Sequence, residues 1–184
     1  MQRCRWVDLR SDVYIRYHDE EWGVPVYDDL KLFELLVLES FQAGLSWLCV
    51  LNKREAFREA LDNFDPEIIS RYDEQKIEEL LQNEKIIRSR RKIEAIIGNA
   101  KIFLALQKEW GSFSKYIWHF TNGETIKNKD DVFSTTSKLS DEVSADLKRR
   151  GMKYTGSVII YSYLQAIGII NDHELDCFCY EKDL

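Results

Sequence analysis

Residues 147–168 read LKRRGMKYTGSVIIYSYLQAIG. A basic helix end runs into a short connection bracketed by Gly151 and Gly156, and an apolar helix follows. This is a helix-hairpin-helix pattern. Glycine reaches backbone conformations closed to other residues, and amides freed at the start of the second helix can bind a phosphate with help from the helix dipole. Lys148, Arg149, Arg150 and Lys153 are expected around the same spot. A plain turn between two helices fits the pattern equally, since glycine-bounded turns are common in helical proteins.

Outward from this element the chain reads as mainly α. It has only two prolines and eight glycines in 184 residues, with long stretches of Leu, Ile, Glu, Lys and Arg, a composition that favours helix. Capping residues and periodicity predict helices at about 28–43 (closed by Gly44), 46–63, 73–83, 88–109 (ended by Gly111), 112–119, 140–150 and 157–170, with a turn begun by Asp65 and Pro66. Residues 121–139 are polar and aperiodic and are expected to form a loop. The hairpin element occupies about 141–169, within one domain, 1–184, of two helical lobes. Hydrophobic residues make up 45% of the chain, enough for a sizeable interior.

No apolar run approaches the ~18 residues of a membrane span, and the polar, aromatic amino terminus lacks the pattern of a cleavable leader. The expected place is the cytoplasm, away from membranes, with four cysteines kept as thiols or metal ligands rather than disulfides. The net charge of -6 argues against generic nucleic-acid binding, but it averages over two basic clusters, KIIRSRRK at 85–92 and KRRGMK at 148–153. Each is also what a solvated helix face looks like.

Most of the Cys and His residues stand at the two ends. His173 and Cys177 have i,i+4 spacing, which places both on one face of a helix or tight turn, and Cys4 with His18 could complete a Cys2His2 zinc set. Four ligands leave no open position, so such a site is a staple joining the termini. Cys179 is the rival ligand, Cys49 reads as core, and His119 has no partner nearby in sequence.

In DDLKLFELLVLESFQAGLSW, helical spacing puts Glu39 on the face of Leu32, Leu35, Leu36 and Ala43. A carboxylate there loses several kcal/mol of solvation unless it is paired or opens onto a polar cavity, so it is a candidate functional group. The alternative is an acid paired with a structural Arg or with backbone amides. Trp6, Tyr14, Tyr17, Trp22 and Trp47 crowd the same third of the chain. Aromatics are mostly core material, yet an aromatic box around one carboxylate suits a flat cation.

The stretches RCRWV, YIRYHDEEWGVP, LFELLVLESFQAGLSW, VLNKREAFR, FDP, IIRSRRKIEAIIGNA, KRRGMKYTGSVIIYSYLQAIGIINDH and CFCY together resemble the 3-methyladenine DNA glycosylase I family over nearly the whole chain. The resemblance implies a helix-hairpin-helix DNA glycosylase fold with its termini joined by one structural Zn2+ on Cys4, His18, His173 and Cys177. It implies that Glu39, Tyr17 and Trp47 hold the damaged base, that Trp6 and Tyr14 line the same pocket, and that Gly44 and Leu45 enter the gap left in the duplex. Trp22 is a less secure member of the pocket. Gly151, Lys153 and Gly156 would contact DNA. The implied partners are double-stranded DNA containing 3-methyladenine and the free base as product, for a monomeric, monofunctional base-excision repair enzyme without strand cleavage. No Schiff-base lysine is evident, and Asp172 is the nearest acid after the hairpin. Two rivals are a zinc-stapled, non-enzymatic reader of damaged or bent DNA and a zinc hydrolase or nucleobase deaminase. The triplet His18-Asp19-Glu20 matches H-x-E, but the accompanying P-C-x-x-C is absent.

Overall fold

The structure is a computed structural model and describes residues 1–127, 129 and 134–180. The elements among them are α1 Asp12–Glu20, α2 Asp29–Gln42, α3 Trp47–Leu51, α4 Arg54–Ala60, α5 Pro66–Ile69, α6 Glu74–Gln82, α7 Arg90–Trp110, α8 Phe113–Trp118, β1 Ile126–Lys127, α9 Lys138–Arg149, α10 Ser157–Ala166 and β2 Ile170–Asn171, with two single 3-10 turns. The mainly helical expectation holds. Local chemistry sets most boundaries. Asp28, Ser46, Asp65, Asp73 and Ser112 each offer a side-chain oxygen to a first-turn amide of the next helix, satisfying donors that no backbone carbonyl of the helix reaches. Gly111 ends α7 in the left-handed conformation.

The second helix is central. All ten residues from Leu32 to Phe41 are buried, with α3, α7, α8 and α10 packed around it. The single greasy face expected around Glu39 is therefore a helix enclosed on every side, as befits one apolar all round. A smaller apolar cluster of Val7, Tyr17, Trp22, Leu51 and three cysteines joins the two chain ends, where the Phe178 amide donates to the Gln2 carbonyl at 3.0 Å.

Several boundaries differ from expectation. The helix expected over 46–63 breaks between α3 and α4 at Asn52 and Lys53; Asn competes for its own backbone and favours ends. The break turns Arg54 and Arg58 of α4 onto Glu34 of α2. The first turn of α9 starts earlier, capped by Ser137, with Ser140 as the reciprocal partner of a capping box. The last helix stops at Ala166, not 170. Gly168 takes φ +75°, and a Cβ there would lie 2.3–2.5 Å from the Val24 and Pro25 backbone. Beyond it β2 pairs in parallel with β1, so the expected loop over 121–139 holds a short strand; its residues 128 and 130–133 lie outside the described residues. The first helix, capped by Ser11, was not anticipated, although Ser11-Asp12 is a fair N-terminal signal.

Candidate active site

Glu39 lies in the penultimate turn of α2 at 3% exposure. Burial alone lifts its carboxyl to about 8, and no hydrogen bond or ion pair to it is present among the described residues. The alternative of a structural Arg partner fails. Arg54, the buried guanidinium nearby in sequence, is committed to Glu34 and Glu21. Tyr17 is buried and Tyr14 half-buried; desolvation raises both phenols, and the Glu39 charge adds to each. Trp47 packs against Tyr17 with centroids 5.4 Å apart, and Trp6 packs edge-on to Tyr14 at 5.1 Å. The structure thus brings Trp6, Tyr14, Tyr17, Trp47 and Glu39 into one neighbourhood. The indole N–H groups of Trp6 and Trp47 are both buried without a partner. A buried donor without an acceptor costs about 1–3 kcal/mol, and Arg54 Nη2 is a third such donor among the described residues.

Immediately past α2, Gly44 takes φ +81° with open space around it. The Gln42 side chain donates to the Leu45 carbonyl and the Leu45 amide to the Gln42 carbonyl, each at 2.7 Å. The result is a short, braced tip carrying Leu45 at 39% exposure.

In the hairpin between α9 and α10, Gly151 takes φ +98°, but Gly156 sits at φ -66°. Only the first therefore needs the glycine conformation. At Gly156 the fold itself does not require glycine, since a Cβ would meet nothing within 4 Å; no side chain caps α10. The expected four-cation cluster shrinks. Arg149 pairs with Asp146, and Arg150 with Glu109 at 2.7 Å and Asp146 at 2.8 Å. Lys148 and Lys153 remain exposed, without an ion pair among the described residues. The 85–92 cluster is neutralised only in part: Arg90 pairs with Glu74, Glu78 and Glu94 and Arg88 with Glu84, while Lys85 and Arg91 are exposed without an ion pair among the described residues.

Cys4, His18, His173 and Cys177 are all buried, with ligand atoms within 4.8 Å of one another. Cys177 Sγ stands 3.4 Å from His18 Nε2 and 3.5 Å from His173 Nδ1, and Cys4 Sγ lies 3.5 Å from His173 Nδ1. Tetrahedral zinc with Zn–S about 2.3 Å and Zn–N about 2.0–2.1 Å has S···N edges of about 3.6 Å, so the four donors fit. The outer nitrogens are spoken for, His18 Nδ1 by Asp19 at 2.8 Å and His173 Nε2 by the Trp22 carbonyl at 3.0 Å, the usual means of orienting a ligating imidazole. Amides of Glu174 and Cys179 point at the sulfurs of Cys4 and Cys177, both at 3.4 Å. Burial holds the Cys4 thiol well above its usual range, a cost that a divalent cation reverses.

Cys179 faces the His18 and Asp19 carbonyls at 4.0 Å. It also forms a second, lesser group with His18 and Asp19. Trp22 packs edge-on to His173 at 4.7 Å, so it supports the cluster. Glu20, the acid of the deaminase triplet, is exposed, and Asp19 is held by Arg3 at 2.7 Å. Cys49 is half-buried rather than core, and His119 stacks on Trp110 at 4.4 Å. Asp172 accepts from Tyr161 at 2.5 Å and Gln165 at 2.6 Å.

Sequence reasoning missed Lys92 and Asn99 of α7. Lys92 Nζ donates to the carbonyls of Phe41 at 2.8 Å and Ala43 at 2.7 Å, and Asn99 exchanges two 2.9 Å hydrogen bonds with the Lys153 backbone. The available signal was their seven-residue spacing on an otherwise apolar helical face.

A model of the methyladenine glycosylase family matches residues 6–180. The chain is 44% identical over 183 residues to DNA-3-methyladenine glycosylase 1 of Escherichia coli K12, covering 98% of this chain and 97% of the relative. A crystal structure of 3-methyladenine DNA glycosylase I superposes with a TM-score of 0.93 at 46% identity, covering 97% of this chain and 100% of that one. Another, of a variant 3-methyladenine DNA glycosylase I in complex with 3-methyladenine, gives 0.92 at 38% identity, with 99% of each chain covered.

Proposed function

The chain belongs to the methyladenine glycosylase family, and on that footing we propose that it removes 3-methyladenine from alkylated double-stranded DNA. It is a DNA glycosylase, a hydrolase of N-glycosyl bonds. The observation that carries the substrate is Glu39, an acid buried without a partner among the described residues beside four aromatic rings.

A glycosidic bond inside a duplex is out of reach, so the base must be extruded. Methylation weakens stacking and pairing, and it leaves the purine positively charged. Glu39 accepts hydrogen bonds from the exocyclic amine and ring edge, while Tyr17 and Trp47 clasp the ring and Trp6 and Tyr14 line the same space. In the empty enzyme burial keeps Glu39 largely protonated near neutral pH; a cationic base restores the carboxylate. Unmodified adenine brings no charge and leaves the desolvation uncompensated, which makes selectivity electrostatic. As the bond from C1′ to the purine breaks, its electron pair leaves with the base. Water then bonds to C1′ and gives up a proton, leaving free 3-methyladenine and an abasic site. The reaction is monofunctional, without strand cleavage. Asp172, tied to Tyr161 and Gln165, is not assigned a part.

Leu45, on the tip begun by Gly44, fills the gap left by the extruded base. Gly151, Lys153 and Gly156 grip a backbone phosphate at the start of α10. We read 1–184 as one domain of two helical lobes, monomeric and cytoplasmic, with the hairpin element at about 141–169. One structural zinc on Cys4, His18, His173 and Cys177 would clamp the first and last segments. Bound there, it adds folding free energy and no chemistry at the base.

The test is direct: incubate the protein with methylated duplex DNA and assay free base by chromatography. Release of 3-methyladenine that falls at least tenfold in Glu39→Gln is expected; a variant as fast as wild type in single turnover removes Glu39 from the site.

A further inference from the structure

The last turn of α2 contains no basic residue of its own, and a helix C-terminus carries partial negative charge with unpaired carbonyls. The cation comes from α7. Lys92, 9% exposed, inserts its ammonium between the Phe41 and Ala43 carbonyls, two and four residues beyond Glu39 and immediately before Gly44 and Leu45. The same ammonium lies 5.9 Å from the centre of the Tyr154 ring in the hairpin loop. Tyr154 is held at φ +57°, a left-handed conformation that costs a residue with a Cβ about 1–2 kcal/mol. The neighbouring residue accounts for its persistence: Asn99, 2% exposed, grips both the amide and the carbonyl of Lys153. Lys92 and Asn99 are seven residues apart on one face of one helix, about 10 Å along its axis at 1.5 Å per residue.

We propose that Lys92 and Asn99 are positioning residues, which make α7 a fixed spacer between the hairpin that grips a DNA phosphate and the tip that fills the vacated base position. The inference rests on the glycosylase reading above. Neither residue touches the base. Each holds one of two DNA-facing loops to a common rod, so a phosphate held at Lys153 sets where Leu45 meets the duplex. Such registration matters for extraction from a duplex and is irrelevant to a base already free in solution. A misplacement of about 1 Å in a reacting assembly can cost 100-fold in rate.

The experiment compares two readouts in Lys92→Met and Asn99→Asp. One is single-turnover release of 3-methyladenine from methylated duplex DNA; the other is affinity for free 3-methyladenine, read by calorimetry. Met preserves length and removes the donor; Asp keeps the acceptor for the Lys153 amide but faces the Lys153 carbonyl without a donor. Both variants are expected to lose at least tenfold in release from duplex while free-base affinity stays within about twofold of wild type. Because both act through one rod, the double variant should lose less than the product of the two. Wild-type release in either folded variant overturns the proposal, and so does a parallel loss of free-base affinity, which would mark general damage to the site. If Lys92→Met does not fold, Asn99→Asp and Lys92→Arg decide, the latter expected to recover most of the rate. Failure of wild type to release any base would instead defeat the glycosylase reading, so the two failures are separable.

Discussion

Replacing Glu39 with glutamine should make the protein worse at excision and more stable, and the gain should depend on pH in a way worked out from burial alone. The carboxyl moves from an ordinary value of 4.5 to about 8 on folding. Below pH 4.5 the group is neutral in both states and costs nothing. As pH rises from 4.5 to 8 the unfolded chain gives up its proton while the folded one keeps it, so stability falls; above 8 both have lost it and the penalty levels off. At 1.36 kcal/mol for each pH unit the loss is about 3 kcal/mol at pH 7 and about 5 kcal/mol at pH 9. Glutamine keeps the shape and never ionises. Any constant offset from its amide cancels when the variant is compared with wild type at two pH values. Between pH 5 and pH 9 the advantage of Glu39→Gln should therefore widen by about 4 kcal/mol, or roughly 10 °C in Tm for a chain of this size. The assay is thermal unfolding by circular dichroism across that range, beside single-turnover excision at pH 7, where loss of charge-assisted hydrogen bonds worth about 1.5–3 kcal/mol predicts a 10- to 100-fold slower step. Parallel stability curves for the two proteins would refute the reasoning, because they would mean that the acid is solvated or paired.

Elemental analysis of the native protein should find one zinc per chain, and Cys4→Ala combined with His173→Ala should lower Tm by more than about 10 °C while leaving the surviving folded fraction able to release base; a metal-free native protein would dispose of the staple. Gly168→Ala should cost about 3 kcal/mol, from a disfavoured φ and a forced shift of the Val24–Pro25 backbone, read as the urea midpoint; a change below 0.5 kcal/mol would show that the close approach relaxes freely.

How much of this was legible in the sequence depended on how local each cause is. Both ends of α2 and the close of α7 were readable because Asp28, Gly44 and Gly111 act within one turn of the helices they bound. The break at Asn52 was not, because the Arg54 and Arg58 contacts with Glu34 that favour it cross from another helix. Strands of two residues, separated by some forty positions, carry no periodicity to read. Glu39 stood out as an acid in an apolar run. Lys92 did not, since it closes a series of cations whose other members are mostly at the surface; burial alone separates it from them. The Cys and His residues pointed to one another by type, but only the adjacency of the two ends turns four scattered residues into a cluster.

That adjacency bears on synthesis. Trp6 leans on His18 and Trp22, and these lean on His173, so a wall made early in translation is braced by a residue that emerges much later. A chain released before residue 173 would lack the imidazole that packs behind His18 and Trp22.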